Sequence, residues 1–417
     1  MLPVTLRTIA CVGCLTSFAH SENWTAYRGN AGDGKSSASV RWQNEGVKAL
    51  PVLWKVDCPL GFSSFAIDGD RCVTVISEDG SEKCVAYSVQ DGSILWKCPL
   101  GSSELAQGGG NSGAPDNRGG DGPRSTPTIA GDTIVVYGTH MVLWGIDRQT
   151  GEVRWSVDVP KTHDGRTIKW ENASSPVVVD GQAIIAGGGA GQSFLAVSVH
   201  DGSVVWKSGD ETMTHATPTV ATIRGQRQVI FLVQSGLVSL DPANGKELWR
   251  AKFPFSTSTA ASPVVAGNLV YCSAGYGVGA GLFEINSNGQ PEEVWFKANE
   301  LMNHWSTPVA HDGALFGLFE FKKYGKAPLQ CVDLDSGEIL WKERGFGPGN
   351  CILIGDTLAV LSDAGEVALV KATREGYAEW VREDVLSGKC WSTPAFADGK
   401  LFVRSTEQAA CIDLSGR

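Results

Sequence analysis

The sequence predicts an all-β fold, an eight-bladed β-propeller of four-stranded antiparallel blades in which an N-terminal strand completes the last blade. Three observations predict this class. A hairpin that ends on tryptophan recurs along the chain, and a small polar residue followed by proline recurs before most of the hairpins. The two ends of the chain also carry complementary halves of one repeat.

The hairpin is clearest in residues 237–249, which read Leu-Val-Ser-Leu-Asp-Pro-Ala-Asn-Gly-Lys-Glu-Leu-Trp. Alternating apolar residues favour a half-buried strand, Asp241 and Pro242 open a turn, and Gly245 can take the positive φ of a bulged hairpin. The turn glycine recurs at Gly92, Gly151, Gly202, Gly245, Gly289, Gly337, Gly376 and Gly416. We expect a tryptophan from each copy to dock between neighbouring blades: Trp54, Trp96, Trp155, Trp206, Trp249, Trp295, Trp341 and Trp380.

The ends of the chain decide between an open array and a ring. Seven units contain both the glycine and the tryptophan, whereas Trp54 precedes the first glycine and Gly416 has no tryptophan after it. A segment from Val52 to Cys58 can therefore supply the outer strand of the last blade. Such a ring of eight units has no free sheet edge at its ends.

Each blade begins with a small residue and, in most copies, a proline. The pairs include Ser175-Pro176, Thr217-Pro218 and Ser262-Pro263, and Ser64 and Asn350 hold the same place in units one and seven. Proline has no amide hydrogen to donate, so it suits the first residue of a strand. The small residue before it lets the innermost strands crowd around a channel.

We expect the ring to form one domain of an exported protein. The chain has 417 residues, 42% of them hydrophobic, and a net charge of -10, which argues against a nucleic-acid partner. Residues 1–21 resemble a secretory signal, whose apolar run is too short to be a transmembrane segment. A lipoprotein anchor at Cys14 is the alternative to cleavage. We expect residues 22–49 to form an irregular arm, residues 50–417 the propeller, and the protein to be a periplasmic or extracellular monomer.

The D-x-x-x-G-x-x-x-W endings resemble the repeats of the pyrroloquinoline quinone (PQQ) β-propeller superfamily. Residues 147–155, 241–249 and 333–341 carry the pattern in full. The superfamily includes quinoprotein alcohol and glucose dehydrogenases, and also a non-enzymatic propeller lipoprotein of the outer-membrane β-barrel assembly machinery. Methanol-type dehydrogenases pair two adjacent cysteines against the quinone, and this sequence has no such Cys-Cys pair. The resemblance is specific for fold and not for chemistry.

Residues just before the inner strands are the candidates for a ligand site at the channel mouth: Arg124, Trp170, Glu171, Asn172, His215, Asn303, His304, Trp305 and Trp391. One interpretation is a pocket with indole platforms and a few polar contacts. The other is that Trp305 and Trp391 simply plug the channel. Glu171 and Asn172 could hold calcium beside a quinone, or could serve only the loop. No catalytic residue and no protein metal site is assigned.

The sequence thus predicts an exported binding or scaffold module of the cell envelope, with an envelope protein or a small ligand bound on the loop face around the channel. We expect no cofactor and no enzymatic activity under this hypothesis. The alternative is a quinoprotein oxidoreductase that uses PQQ and calcium to oxidise an alcohol or a sugar.

Overall fold

Eight antiparallel sheets of four strands surround a central channel in the part of the chain that the structure describes. The structure is a computed structural model, and it describes residues 22–40, 49–105, 122–320 and 327–416. The segments 1–21 and 41–48, with the predicted signal and Cys14, lie outside the described residues. The eight-bladed, four-stranded β-propeller predicted from the repeat is confirmed.

The first four blades follow the order of the chain from the channel outward. Blade 1 contains β3 (Ala66–Asp68), β4 (Arg71–Glu78), β5 (Ser81–Ser88) and β6 (Ile94–Ser102). Blade 2 contains β7 (Thr128–Ala130), β8 (Thr133–Tyr137), β9 (Val142–Asp147) and β10 (Val153–Asp158), followed by the single helical turn α1 (Val159–Thr162). Blade 3 contains β11 (Val177–Val179), β12 (Gln182–Ala186), β13 (Phe194–Ser198) and β14 (Val204–Ser208). Blade 4 contains β15 (Thr219–Ile223), β16 (Gln226–Val233), β17 (Gly236–Leu240) and β18 (Glu247–Lys252).

The remaining blades repeat the pattern with two additions from the N-terminal part. Blade 5 contains β19 (Val264–Ala266), β20 (Leu269–Ala274), β21 (Gly279–Ile285) and β22 (Pro291–Ala298). Blade 6 contains β23 (Val309–His311), β24 (Ala314–Leu318), β25 (Leu329–Asp333) and β26 (Ile339–Glu343). Blade 7 contains β27 (Gly349–Ile354), β28 (Thr357–Ser362), β29 (Glu366–Lys371) and β30 (Glu379–Asp384), with β1 (Lys35–Ser36) parallel to β27. Blade 8 contains β31 (Ala395–Ala397), β32 (Lys400–Arg404) and β33 (Gln408–Asp413), with β2 (Val52–Asp57) outermost.

The N-terminal strand β2 closes the ring, as the unpaired Trp54 predicts. It runs antiparallel to β33 with Trp54 opposite Cys411. The Asp413 amide donates to the Pro51 carbonyl at 2.9 Å, which reproduces the bond from Asp241 to Lys246 within the blade 4 hairpin. Pairing the two ends removes the edges that blade 8 would otherwise expose, so the closure is part of the fold's stability.

The turn glycine and the tryptophan of the preceding blade contact each other across the blade seam. Gly245 has φ +70°, and a Cβ on it would lie 2.3 Å from the ring of Trp206. The Trp206 indole donates to the Pro242 carbonyl in the same turn at 2.9 Å. Equivalent bonds from the described blades join Trp54 to Val89, Trp96 to Arg148, Trp155 to Val199, Trp295 to Leu334 and Trp341 to Thr373. A glycine is required there because any side chain would displace the indole.

Two of the repeated tryptophans differ from this pattern. The Trp249 indole donates to Gln228 of its own blade at 2.6 Å, and Gly289 of the next blade has no atom near the place of a Cβ. The insertion after Gly289 in the blade 5 turn accounts for this difference. In blade 7, Trp380 occupies the unpaired bulge position between Glu379 and Val381.

Blade 7 is therefore one residue out of the register expected from Gly376. That glycine lacks a positive φ, whereas Tyr377 takes its place and contacts the Trp341 ring at 5.9 Å between centroids. Val381 is opposite Leu369, in the ladder position that tryptophan holds in the other blades. Trp380 is half-buried and packs against the core cluster that includes residues of blades 7, 8 and 1.

The small residue that begins each blade has a second role, since its hydroxyl accepts an amide from the neighbouring blade. The Ser64 amide donates to Thr126 Oγ1 at 2.9 Å, and the Thr126 amide donates to Ser175 Oγ at 2.8 Å. The same bond joins Ser175 to Thr217, Ser262 to Thr307, and Thr393 to Ser64. These hydroxyls therefore link neighbouring blades around the channel, in addition to letting the inner strands pack closely.

Residues 22–40 form an arm across the end of the channel opposite the loop face. Trp24 pairs with Ile67 of blade 1, and Gly34 accepts the Leu353 amide of blade 7 at 2.9 Å. Arg28 is only 1% exposed and donates to the carbonyls of Thr307 and Pro308 at 2.7 and 2.8 Å. Because the arm contacts both sides of the ring, it closes the channel from below.

Candidate binding pocket at the channel mouth

A small pocket lies on the propeller axis where the loops between blades emerge. It has a cavity volume of about 140 Å³, and Tyr27 of the arm forms its floor. Tyr27 also lines a second cavity, of about 310 Å³, between the arm and the inner strands of blades 2 to 4. Tyr27 therefore contributes to the walls of both cavities.

One position of the repeat supplies most of the pocket wall. It lies two residues before the small residue that begins each blade. In the described blades this position is occupied by Phe62, Arg124, Ala173, His215, Ala260, Trp305, Pro348 and Trp391, and all of these except Pro348 line the pocket. The alanines in blades 3 and 5 leave open the space that aromatic rings occupy on the other side.

The aromatic side of the pocket is a continuous stack. Trp391 lies between Phe62, at 4.9 Å between ring centroids, and Trp305, at 4.7 Å. His304 lies 5.3 Å from Trp305 and meets Tyr276 edge to face at 4.9 Å. A separate ring pair, Trp170 and His215, has centroids 6.3 Å apart. The tryptophans of blades 6 and 8 narrow the channel as a plug would, and a cavity remains beside them.

Arg124 is the one charged side chain among the described residues that line the pocket. Its guanidinium lies 5.8 Å from the centre of the Phe62 ring and donates to the Trp170 carbonyl at 3.4 Å. Outside the pocket wall, the Lys169 ammonium lies 4.5 Å from the Trp170 ring. Both cations of the described residues on this side of the cavity thus contact aromatic rings.

Both pocket histidines are neutral near pH 7. Burial, and then the charge of Arg124, lowers the pKa of His215 to about 4, and burial lowers the pKa of His304 to about 3. His215 Nε2 lies 3.0 Å from the Lys169 carbonyl, which can only accept, so this nitrogen carries the hydrogen. His215 Nδ1 then accepts from the Ser258 hydroxyl at 2.8 Å.

Glu171, Asn172 and Asn303 do not line the cavity, in contrast to the prediction that they face the channel mouth. Asn172 donates to the carbonyls of Tyr137, Gly138 and Ser174 and accepts the Ser174 amide. Asn303 likewise donates to Leu318 and accepts from Tyr271. These buried amides hold the loops that precede blades 3 and 6, where backbone carbonyls need partners.

Glu171 belongs to a buried polar cluster at the seam of blades 1, 2 and 3. Its carboxylate lies 2.9 Å from His140 Nδ1, and the adjacent Glu82 accepts the Thr139 amide and hydroxyl at 3.1 and 3.2 Å. Trp170 and Glu171 both have positive φ, +66° and +57°, which is costly for side chains of this size. The strained turn directs Trp170 to the pocket and Glu171 away from it.

Sequence reasoning missed Phe62, Tyr27 and Tyr276 as lining residues. Phe62 could have been found, because it stands two residues before Ser64 just as Trp391 stands two before Thr393. Tyr27 could not, since nothing in its sequence neighbourhood shows that the arm reaches the axis. Tyr276 lies in the loop between β20 and β21, at the same face as the blade connections.

The described residues contain no group of three or more histidine, cysteine or acidic side chains placed to hold a metal ion. No helix in these residues has both the length and the apolar character needed to cross a bilayer.

The fold and the pocket define a PQQ-like β-propeller with an aromatic cavity at its channel mouth. The sequence model of the family described as outer membrane protein assembly factor BamB matches residues 51–168 and 85–343. The chain therefore belongs to this family, and the predicted membership in the PQQ-like superfamily is confirmed. No protein with a curated description matches the sequence.

Solved structures show the same fold at low sequence identity. BamB from Moraxella catarrhalis is 15% identical with a TM-score of 0.63, over 88% of this chain and 100% of its own. Quinohemoprotein alcohol dehydrogenase from Comamonas testosteroni is 12% identical with a TM-score of 0.65, over 95% and 81%. The computationally designed Ika8 protein is 10% identical with a TM-score of 0.60, over 87% and 99%. At these identities the likeness concerns the fold alone.

Proposed function

We propose that this protein is an exported binding or scaffold module of the cell envelope, and that its partner or ligand docks on the loop face around the channel. The observation that carries the proposal is the aromatic pocket on that face, with Arg124 as its one charged lining residue among those described. The family description, which names an outer membrane assembly factor, supports a protein partner in the envelope. Interaction sites are often carried on loops held by a rigid scaffold.

The alternative is a quinoprotein oxidoreductase that binds PQQ and calcium at the same mouth. Three observations weigh against it. The cavity of about 140 Å³ is small for a tricyclic quinone with three carboxylates, and the stacked Trp305 and Trp391 occupy the adjoining part of the channel. The Asn172 amide is fully engaged with the backbone, and Glu171 faces His140. The residues present therefore do not fit the quinone and its metal.

Two experiments test the proposal. Titration of the purified protein with PQQ and calcium, followed by absorbance and by dye-linked oxidation of alcohols and sugars, examines the alternative. Quinone binding at micromolar concentration with turnover would contradict the proposed function.

Photo-crosslinking in cells examines the docking face itself. A photoreactive residue in place of Tyr276, which is 39% exposed on the loop face, is compared with one in place of Asn288, in the turn on the opposite face of the same blade. We expect a discrete crosslinked product from position 276 and none from position 288. Equal labelling from both positions would contradict docking on the loop face.

A further inference from the structure

Two cysteines of blade 1 face each other across one hairpin. Cys84 on β5 is the ladder partner of Cys98 on β6, and the ladder is regular from Lys83 to Ala86 on both sides of this pair. The other cysteines in the described strands all have residues of a different type as their ladder partners. The register thus singles out one pair of thiols.

The ladder gives this pair the geometry of a disulfide bridge. Directly opposite residues in an antiparallel pair have Cα atoms about 4.5 or 5.5 Å apart, and disulfides span Cα distances of about 4.4 to 6.8 Å. Opposite side chains also lie on the same face of the sheet. Cys84 and Cys98 accordingly belong to one apolar cluster, which residues of blades 1 and 2 form together. The two thiols can therefore meet without a change of strand register.

The other thiols near blade 1 belong to a different cluster. The Tyr87 carbonyl lies 3.6 Å from Cys72 Sγ, and the Tyr87 hydroxyl donates to Cys58 Sγ at 3.6 Å. Tyr87, Cys72 and Cys58 pack in the cluster that blades 7, 8 and 1 share. Because side chains alternate along a strand, Tyr87 and Cys84 lie on opposite faces of β5. The sheet of blade 1 therefore separates Cys58 and Cys72 from the facing pair.

Burial limits when a bond between the two thiols can form. It raises the pKa of Cys84 well above its usual value and the pKa of Cys98 to about 11. The thiolate is the nucleophile in disulfide exchange, so the folded, reduced blade reacts slowly. The hairpin itself is local, and its turn closes with the Ser88 amide donating to the Ser93 carbonyl at 2.8 Å. It can therefore bring the thiols together before blade 2 covers them.

From the register, the shared face and the local turn, we propose that Cys84 and Cys98 form a disulfide when the chain folds in the presence of a disulfide oxidant. One thiolate attacks the oxidant to give a mixed disulfide, and the second thiolate attacks the mixed disulfide and completes the bond. With oxidised glutathione, the protein thiols lose two electrons and two protons, and the oxidant becomes two molecules of reduced glutathione. Oxidants of this class act outside the cytosol, so in cells the bond rests on the export proposed above.

Peptide mapping of the full chain tests the proposal. The reduced, unfolded protein is refolded with oxidised and reduced glutathione, its free thiols are alkylated, and it is digested with trypsin without reduction. Cleavage after Lys83 and Lys97 places the two cysteines on separate peptides, 84–97 and 98–118, which contain no other cysteine. We expect mass spectrometry to find these peptides joined, and to find them separate after reduction. Unlinked, alkylated peptides, or a bond from either one to another cysteine as the main product, would overturn the proposal.

Single variants test the assignment. Cys98→Ser should abolish the joined product and leave Cys84 open to alkylation. The matched control is Cys272→Ser, since Cys272 is equally buried but has Gly281 as its ladder partner, and this variant should keep the joined product. Retention of a bond at Cys84 to another cysteine in Cys98→Ser, with the same yield as in the control, would contradict the pairing.

Thiol titration in denaturant gives a count that is independent of the peptide map. Refolding with oxidised glutathione should remove two reactive thiols from the parent and from Cys272→Ser, relative to their reduced forms, and should not remove two from Cys98→Ser. An unchanged count in the parent would refute the bond. Neither measurement depends on where the protein resides, so this inference can fail while position 276 still crosslinks a partner, and it can hold where the proposed function fails.

Discussion

The buried carboxyl of Glu82 makes the stability of this propeller depend on pH. Glu82 on β5 is 3% exposed, and burial is the main cause that raises its pKa from 4.5 to about 7. The hydrogen bonds from Thr139 and the charge of His140 oppose this shift, and the carboxylate of Glu171 adds to it. The folded protein therefore holds a proton on Glu82 at pH values where the unfolded chain has released it.

The direction of the effect follows from proton binding in the two states. Between about pH 4.5 and 7 the folded state binds more protons than the unfolded state, so the free energy of unfolding falls as pH rises through this window. With folded and unfolded pKa values of about 7 and 4.5, the loss between about pH 5 and 8 is about 2 to 3 kcal/mol. Below the unfolded pKa the contribution is complete, and above the folded pKa it is lost.

The substitution Glu82→Gln removes the titrating group and keeps an oxygen that can accept from Thr139. Urea unfolding of both proteins at about pH 5, 6, 7 and 8 gives the difference in their free energies of unfolding at each pH. We expect this difference to shift by about 2 to 3 kcal/mol in favour of the variant as pH rises across the series. Glu284→Gln, at a side chain that is 49% exposed, serves as the matched control and should show no such shift. A pH-independent difference for Glu82→Gln would refute the reasoning.

Further predictions concern the seams of the ring. Trp206→Ala should destabilise the protein by about 3 to 5 kcal/mol in urea unfolding because it empties a buried site. Trp380→Ala, at the half-buried bulge position, should cost clearly less. Equal losses of stability would contradict the register assigned to blade 7. Thr126→Val removes the acceptor of the Ser64 amide and should cost about 1 to 3 kcal/mol, with Thr126→Ser near parental stability as the control. Deletion of residues 50–58 should expose the edge of blade 8 and cause aggregation, measured by light scattering, and a deleted protein that melts like the parent would count against closure by β2. The guanidinium of Arg404 donates to the backbone carbonyls of Val75 in blade 1 and Pro59 in the segment before it. Arg404→Met leaves both carbonyls without this donor and should lower the free energy of unfolding by about 2 to 4 kcal/mol. A melting temperature equal to that of the parent would contradict this role.

The repeat was readable from the sequence because each hairpin is specified locally. Asp241 and Gly245 determine the turn through local backbone hydrogen bonds and the positive φ of the glycine. The same residue pattern therefore gives the same hairpin in most copies. The ring closure followed from counting, since one unpaired Trp54 and one unpaired Gly416 can meet only in a shared blade. Blade 7 departs from the pattern because Tyr377, and not Gly376, covers the preceding indole.

The pocket was only partly readable. Arg124, Trp170, His215, His304, Trp305 and Trp391 line it as predicted positions of the channel mouth, but their role as ligand contacts stays a prediction. Asn172 and Asn303 were assigned to the mouth from their place in the sequence, yet their amides satisfy buried backbone carbonyls. Sequence position places a residue in a loop and does not decide on which side of the backbone its side chain lies.

The sequence by itself determined the number of blades, the hairpin that builds each one and the strand that joins the two ends. These features depend on local turn chemistry and on a repeat whose copies can be counted along the chain. Only the tertiary structure decided that alanines in two blades leave a cavity beside the indole stack, that Tyr27 of the arm lines it, and that Glu82 and Glu171 lie close together in a buried seam. These features arise where segments far apart in the chain pack together. The local sequence around a residue does not show which distant residues become its neighbours in the fold.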